Sequence, residues 1–136
     1  MADLTPLTAI GEFALIRRLQ ASISTRRPGT VLGIGDDAAI IAPTAGAELV
    51  MTTDLLVEGI HFDLAFCPLR HLGYKAVAVN VSDIAAMNAL PTQLVVALSA
   101  GPRFTVEAIE ELYAGMRLAC EAYNVDLVGG DTNLVH

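Results

Sequence analysis

With 136 residues, 54% of them hydrophobic, the chain is long enough for one domain with a real core. Fifteen Asp and Glu against eight Lys and Arg give a formal charge of −7, so nucleic-acid phosphates meet no basic face. A nucleotide stays open, because a divalent cation can bridge protein carboxylates to phosphate oxygens. No apolar stretch is both long and uncharged enough to span a bilayer. The richest, Ala76 to Leu98, is broken by Asn80, Asp83 and Pro91. Arg17 and Arg18 come with no uninterrupted leader-type apolar region, since Glu12 falls where that region would lie. Cys67 and Cys120 follow no metal-ligand spacing and read as two reduced, buried thiols. A soluble, cytoplasmic protein is expected.

Phe13, Ile16, Leu19 and Ile23 recur at helical spacing, which predicts an amphipathic helix from about 10 to 24, ended by Arg26-Arg27-Pro28-Gly29. Val31 to Ile34 and Ala38 to Ala42 are β-like runs flanking a Gly35-Asp36-Asp37 turn. A loop through Pro43 and Gly46 leads to a predicted strand, Glu48 to Leu56, whose alternation puts Val50, Thr52 and Asp54 on one face. After a loop from Val57 to Arg70, the stripe Tyr74, Val77, Ala78, Val81 and Ala85 predicts a helix to Asn88. That helix is apolar nearly all round, so it is expected between layers, with Asp83 on a buried surface. Thr92 to Ser99 reads as a buried strand. Thr105 is an N-cap candidate for a helix with Ile109, Leu112, Tyr113, Met116, Cys120 and Tyr123 inward. Val125 to Val128 is a last strand running into a Gly129-Gly130-Asp131 turn. The alternation of strands and helices predicts an α/β or α+β fold, with helices against one face of a sheet.

Asp36-Asp37, Asp54, Asp83 and Asp131 each stand at or inside an apolar run, where an unpartnered carboxylate is costly. No Lys or Arg lies within these four acidic segments, so bound Mg²⁺ is the natural counter-charge. Gly129-Gly130 would let backbone amides approach a phosphate. Each residue also has a plainer explanation. Asp36, Asp37 and Asp131 suit solvated turns, Asp54 a loop or cap, and Asp83 a structural ion pair with Lys75 or an arginine. His61 suits an ordinary loop, and Tyr113 the core. There is no Walker loop, no Gly-x-Gly-x-x-Gly and no Gly-x-Ser-x-Gly elbow.

In this order, five segments resemble the thiamine-monophosphate kinase family. They are Gly11-Glu12-Phe13, Gly33-Ile34-Gly35-Asp36-Asp37, Thr52-Thr53-Asp54 through Glu58-Gly59-Ile60-His61-Phe62, Gly73-Tyr74-Lys75-Ala76 through Ser82-Asp83, and Gly129-Gly130-Asp131-Thr132. The wider superfamily includes aminoimidazole ribonucleotide synthetase, selenophosphate synthetase and a hydrogenase-maturation enzyme, which are the competing activities. A non-catalytic dimerisation module is the alternative of another kind.

The resemblance implies Mg²⁺-assisted transfer of a phosphoryl group from ATP to thiamine phosphate, giving thiamine diphosphate without a phospho-enzyme. It implies metal positions at Asp37, Thr52, Thr53, Asp54, Asp83 and Asp131, some acting through water or backbone oxygen. Asp37, Tyr113, Gly130 and Asp131 would meet the nucleotide, and His61 the thiamine phosphate. It also implies the N-terminal-domain fold of aminoimidazole ribonucleotide synthetase, with the sheet pairing to a second subunit in a homodimer. Family members are longer, so residues 1–136 are expected to be an N-terminal ATP/Mg-binding and dimerisation domain, inactive without the family's C-terminal domain.

Overall fold

The structure, a computed structural model, describes residues 4–134; the outermost residues of the expected domain, 1–3 and 135–136, lie outside them. In chain order the described elements are α1 (Leu7–Ile10), α2 (Glu12–Gln20), β1 (Thr30–Leu32), β2 (Ile40–Ile41), α3 (Leu69–Ala86), β3 (Gln93–Ala100), α4 (Val106–Tyr123) and β4 (Asp126–Leu134). The core lies between α4, the docking side of α2, the inner side of α3 and the inner face of β3 and β4.

The helix predicted over 10–24 forms as the shorter α2, Glu12–Gln20, and a separate short helix, α1, precedes it. Gly11 adopts φ 72°, ψ 170°, a conformation hostile to side chains, and the chain turns there between α1 and α2. The buried face also differs from the predicted stripe: α2 buries Leu15 and Leu19, one turn apart, and leaves Phe13 74% exposed. Packing against α4 and β4 chooses that side.

A backbone clip fixes the start of the chain on α4. The Val106 amide donates to the Thr5 carbonyl at 2.8 Å, and the Thr5 amide donates to the Glu107 carboxylate at 2.9 Å. Hydrogen bonds from Thr5, side chain and backbone, hold the Glu107 carboxyl down at about 2. A depressed acid contributes stability above its ordinary value of 4.5 and loses it as the pH falls towards 2. Amides of Thr5 and Val106 should therefore lose hydrogen-exchange protection, relative to their intrinsic rates, between pH 4.5 and 2. In Glu107→Gln that pH dependence should disappear.

The pair α3–α4 is the main helical contact, and it is made close by glycine on both sides. A Cβ on Gly73 would stand 1.9 Å from the Leu112 carbonyl oxygen, and one on Gly115 would stand 1.8 Å from that of Arg70. Only glycine permits backbones this near. Thr105 caps α4 as predicted, its hydroxyl accepting from the Ala108 amide at 3.3 Å. Ile109, Leu112, Tyr113, Met116 and Cys120 are buried as expected, while Tyr123 reaches the surface.

The sheet is smaller than expected: two separate two-stranded pairs, β1–β2 antiparallel and β3–β4 parallel. β3, α4 and β4 form a parallel unit with the helix as crossover. Leu94, Val96 and Leu98 face the helices, and Val95, Ala97 and Ser99 face outward. Leu94 pairs with Leu127 but Val95 pairs with Gly129, so Val128 is an extra residue in β4. Gly129-Gly130-Asp131 is consequently inside a strand that runs to Leu134, not in the predicted turn. The ladder with β3 supplies hydrogen bonds that outweigh the weak strand preference of two glycines.

The predicted strand Glu48–Leu56 does not form among the described residues. This segment belongs to neither two-stranded pair, and a strand has no stability without a ladder partner. Leu49, Met51 and Leu55 are 76%, 83% and 77% exposed. Nor is α3 enclosed between layers. Only Leu72, Gly73 and Val77 are buried along it, because α4 covers one side and the other stays open. Among the described residues no helix is long and apolar enough to cross a membrane.

Candidate functional site

The open side of α3 carries the chemistry. At 100° per residue, Lys75, Val79, Ser82, Asp83 and Ala86 fall on one face of the helix. Asp83, expected on a buried surface, is exposed there. Asn80, one turn before it, donates to the Ala76 carbonyl at 3.0 Å within its own helix. Asp83 has a different partner: the Thr52 hydroxyl donates to its Oδ2 at 3.1 Å. A residue of the unpaired 48–56 segment thus meets the helix, and two of the predicted metal positions come together.

The others remain apart. Asp37 lies in the β1–β2 connection, its amide accepted by the Asp36 carboxylate at 2.8 Å. Thr53 and Asp54 follow Thr52 and are exposed. Asp131 pairs with Ala97 on the outward face of β4. Among the described residues no three of His, Cys, Asp and Glu gather in a metal-binding group. The donor set nevertheless fits Mg²⁺ in kind: every candidate offers carboxylate or hydroxyl oxygen, and one or two carboxylates suffice when phosphates and water complete the shell.

His61 sits in a turn closed by hydrogen bonds from the Gly59 amide to the Phe62 carbonyl at 2.7 Å and from the His61 amide to the Val57 carbonyl at 2.8 Å. Gly59, at φ +78°, supplies the left-handed residue that turn needs. Arg103 pairs with Glu58 and anchors the turn to the β3–α4 connection. Tyr113 is a core residue, 5% exposed. Burial pushes its hydroxyl up, opposed by a hydrogen bond with Thr132, the residue after Asp131. Gly130 lies in register with Val96, where a Cβ would stand 1.8 Å from the Val96 carbonyl oxygen. Both cysteines are free, and burial together with the Asp126 carboxylate pushes the Cys120 thiol up to about 11, leaving it protonated and inert.

Sequence reasoning passed over the most deeply buried carboxylate, Asp126, at 1% exposure. It accepts from the Arg26 amide at 2.7 Å, the Arg27 amide at 2.9 Å and the Thr30 hydroxyl at 2.7 Å. Burial alone would raise its pKa, but these three donors and the Arg27 charge outweigh that and lower it. The criterion that picked Asp83, an acid in an apolar run, picks Val125-Asp126-Leu127-Val128 equally well. The Asp126 site is structural: it ties the segment before β1 to the start of β4.

Comparison with known proteins places the chain in a family. The pattern of AIR synthase related protein, N-terminal domain, matches residues 35–136. A thiamine-monophosphate kinase of Bacillus subtilis is 42% identical over 101 residues, which is 74% of this chain and 31% of the relative. The crystal structure of thiamine-monophosphate kinase from Stenotrophomonas maltophilia superposes with TM-score 0.75 at 40% identity, covering 93% of this chain and 39% of that one. A structure of AaThiL complexed with AMPPCP and TMP gives TM-score 0.63 at 31% identity, covering 96% of this chain and 40% of that one. The chain spans about a third of the length of the curated relatives it matches. On the match over residues 35–136, the chain belongs to the family of AIR synthase related proteins and carries its N-terminal domain.

Proposed function

We propose that this domain forms the metal- and nucleotide-binding part of a kinase that transfers a phosphoryl group from ATP to thiamine phosphate, giving thiamine diphosphate. The observation that carries the proposal is the 31% identity, across 96% of the chain, to AaThiL complexed with AMPPCP and TMP. The juxtaposed Thr52 hydroxyl and Asp83 carboxylate support it as the first two oxygens of a Mg²⁺ site. Asp37, Thr53, Asp54 and Asp131 contribute the other metal positions, some through water or backbone oxygen. Asp37, Gly130, Asp131 and Tyr113 serve the nucleotide, and His61 the thiamine phosphate. The metal, when bound, neutralises charge on the phosphates; the chain's own residues orient the reactants. Direct transfer suits a site with no placed nucleophile. The domain pairs with a second copy through its sheet, and its reduced thiols suit the cytoplasm.

The decisive assay grafts the 101 matching residues of this chain in place of their counterparts in the Bacillus subtilis relative and supplies ATP, Mg²⁺ and thiamine phosphate. Thiamine diphosphate is the expected product. Turnover of aminoimidazole ribonucleotide precursors or selenide instead would assign a different activity, and no turnover at all with a folded graft would sink the kinase reading. In the chain itself, Asp83→Asn should weaken Mg²⁺-dependent binding of an ATP analogue about tenfold or more by calorimetry, since a hard cation loses its anionic ligand. The midpoint of urea unfolding should barely move, because Asp83 is exposed.

A further inference from the structure

We infer that Lys75 is a positioning residue for His61, fixing the imidazole so that its Nε2–H points away from the turn as a hydrogen-bond donor for the substrate. The inference rests on the kinase reading for the identity of the substrate, and on contacts within the chain for the positioning.

The ring is fixed from one side and the backbone from the other. His61 Nδ1 accepts from the Val57 amide at 3.0 Å, four residues earlier. An accepting nitrogen carries no proton, so the neutral ring holds its hydrogen on Nε2. The Lys75 ammonium donates to the His61 carbonyl oxygen at 2.6 Å, reaching from α3 across 14 residues of sequence. With the His61 amide, which donates to the Val57 carbonyl at 2.8 Å, these are the contacts that orient His61 itself. The Glu58–Arg103 pair and the Gly59–Phe62 hydrogen bond hold the rest of the turn and do not touch the ring.

Lys75 also relates the turn to the metal positions. Lys75 and Asp83 are eight residues apart on one face of a continuous helix, about 12 Å along its axis. One end of that face holds His61 through Lys75, and the other meets Thr52 through Asp83. A substrate with an anionic end at the metal and an organic end at His61 would lie along it. The rigid element between the ends makes their spacing independent of the loops that carry His61 and Thr52. Lys75 is exposed, so the lysine is not needed to fill the core.

The test uses the chain labelled with ¹⁵N-histidine, at a pH above 8 where an ordinary imidazole is neutral. The wild type should show the His61 nitrogen pattern of a ring protonated at Nε2 and bare at Nδ1. Lys75→Met should shift this towards the averaged pattern of a freely exchanging ring, and Lys75→Arg should restore it. An unchanged pattern in Lys75→Met, with circular dichroism showing a folded chain, would overturn the positioning role. Thiamine phosphate added with Mg²⁺ and an ATP analogue should perturb the wild-type Nε2 resonance. Its apparent Kd should rise about tenfold in Lys75→Met and recover in Lys75→Arg. If the ring pattern responds to Lys75 but thiamine phosphate perturbs no His61 resonance, the kinase reading of this turn fails and the positioning of the ring stands. If the ring responds but affinity is the same in all three proteins, the assigned role in binding is overturned.

Discussion

Asp126→Ala should destabilise the domain by about 3–5 kcal/mol, the range expected when a buried, fully hydrogen-bonded charge is removed and its partners are left behind. Two backbone amides, of Arg26 and Arg27, and the Thr30 hydroxyl would lose their acceptor together. Water cannot replace the carboxylate cheaply, because the residue is 1% exposed. Thr30 also accepts from the Gln93 side chain at 3.1 Å, so the loss reaches the first residue of β3. The Arg27 guanidinium, which donates to the Asn124 and Pro91 carbonyls, would remain as a tie between this segment and the residues just before β4 and β3. Urea unfolding checks the magnitude through a lower midpoint at constant slope. Asp126→Asn should cost less, since one acceptor oxygen survives. The pH dependence has a definite sign. The folded-state pKa is depressed below 3.8, so the contribution is complete above that value and is lost as the pH falls through the folded-state pKa. Asp126→Asn should flatten that part of the stability profile.

Gly115→Ala and Gly73→Ala should each destabilise by about 2 kcal/mol or more, although alanine is the better helix former. The propensity gain is about 1 kcal/mol. Against it stands a methyl group 1.8 or 1.9 Å from a backbone carbonyl oxygen of the facing helix, a contact no rotamer can relieve. The helices must separate, and overpacking of this kind costs about 1–3 kcal/mol and sometimes more. Separation also loosens Leu72, Val77, Leu112 and Met116, which pack in the shared core. The double variant should cost less than the sum of the single ones, because helices already parted for one methyl accommodate the second. Thermal unfolding of the four proteins measures that coupling.

What the sequence revealed depended on whether a residue's partner was local. The helix α4 was legible from its Thr105 cap through the inward stripe to Cys120, because both are written within one segment, whereas Tyr123, expected inward, reaches the surface. β3 was legible as a strand, a short apolar run between turn signals, but it is exposed on one face at Val95, Ala97 and Ser99 where a buried strand was expected. The strand expected over 48–56 has the right alternation, yet a strand exists only through a neighbour, and periodicity carries no information about whether one is present. Gly129-Gly130 looked like a turn because glycine weakens strands, but the ladder to β3 decided otherwise. At the candidate site, sequence alone nominated Thr52 and Asp83 separately, and only the fold set them 3.1 Å apart. It named Lys75 as a partner for Asp83 and not for His61, whose backbone carbonyl looks the same as that of every other residue. The contrast between Asp83 and Asp126 is the same lesson in electrostatic form. Both are acids in apolar runs; the one taken as buried is exposed, and the other is buried among two amides and a hydroxyl 96 to 100 residues away.

Val128 shows how little separates a core face from an outward one. Strand residues obey an even–odd rule, and the one unmatched residue in β4 acts as a parity change. Upstream of it, Leu127 shares the inner face with Leu94; downstream, Asp131 shares the outer face with Ala97. Under unbroken alternation Leu127, Gly129 and Asp131 would all have pointed inward, and the carboxylate would have met the helices. Natural variation in this strand is therefore constrained by arithmetic as well as by chemistry. Between Leu127 and Asp131, gaining or losing a single residue reverses every orientation that follows, whereas a change of two preserves them.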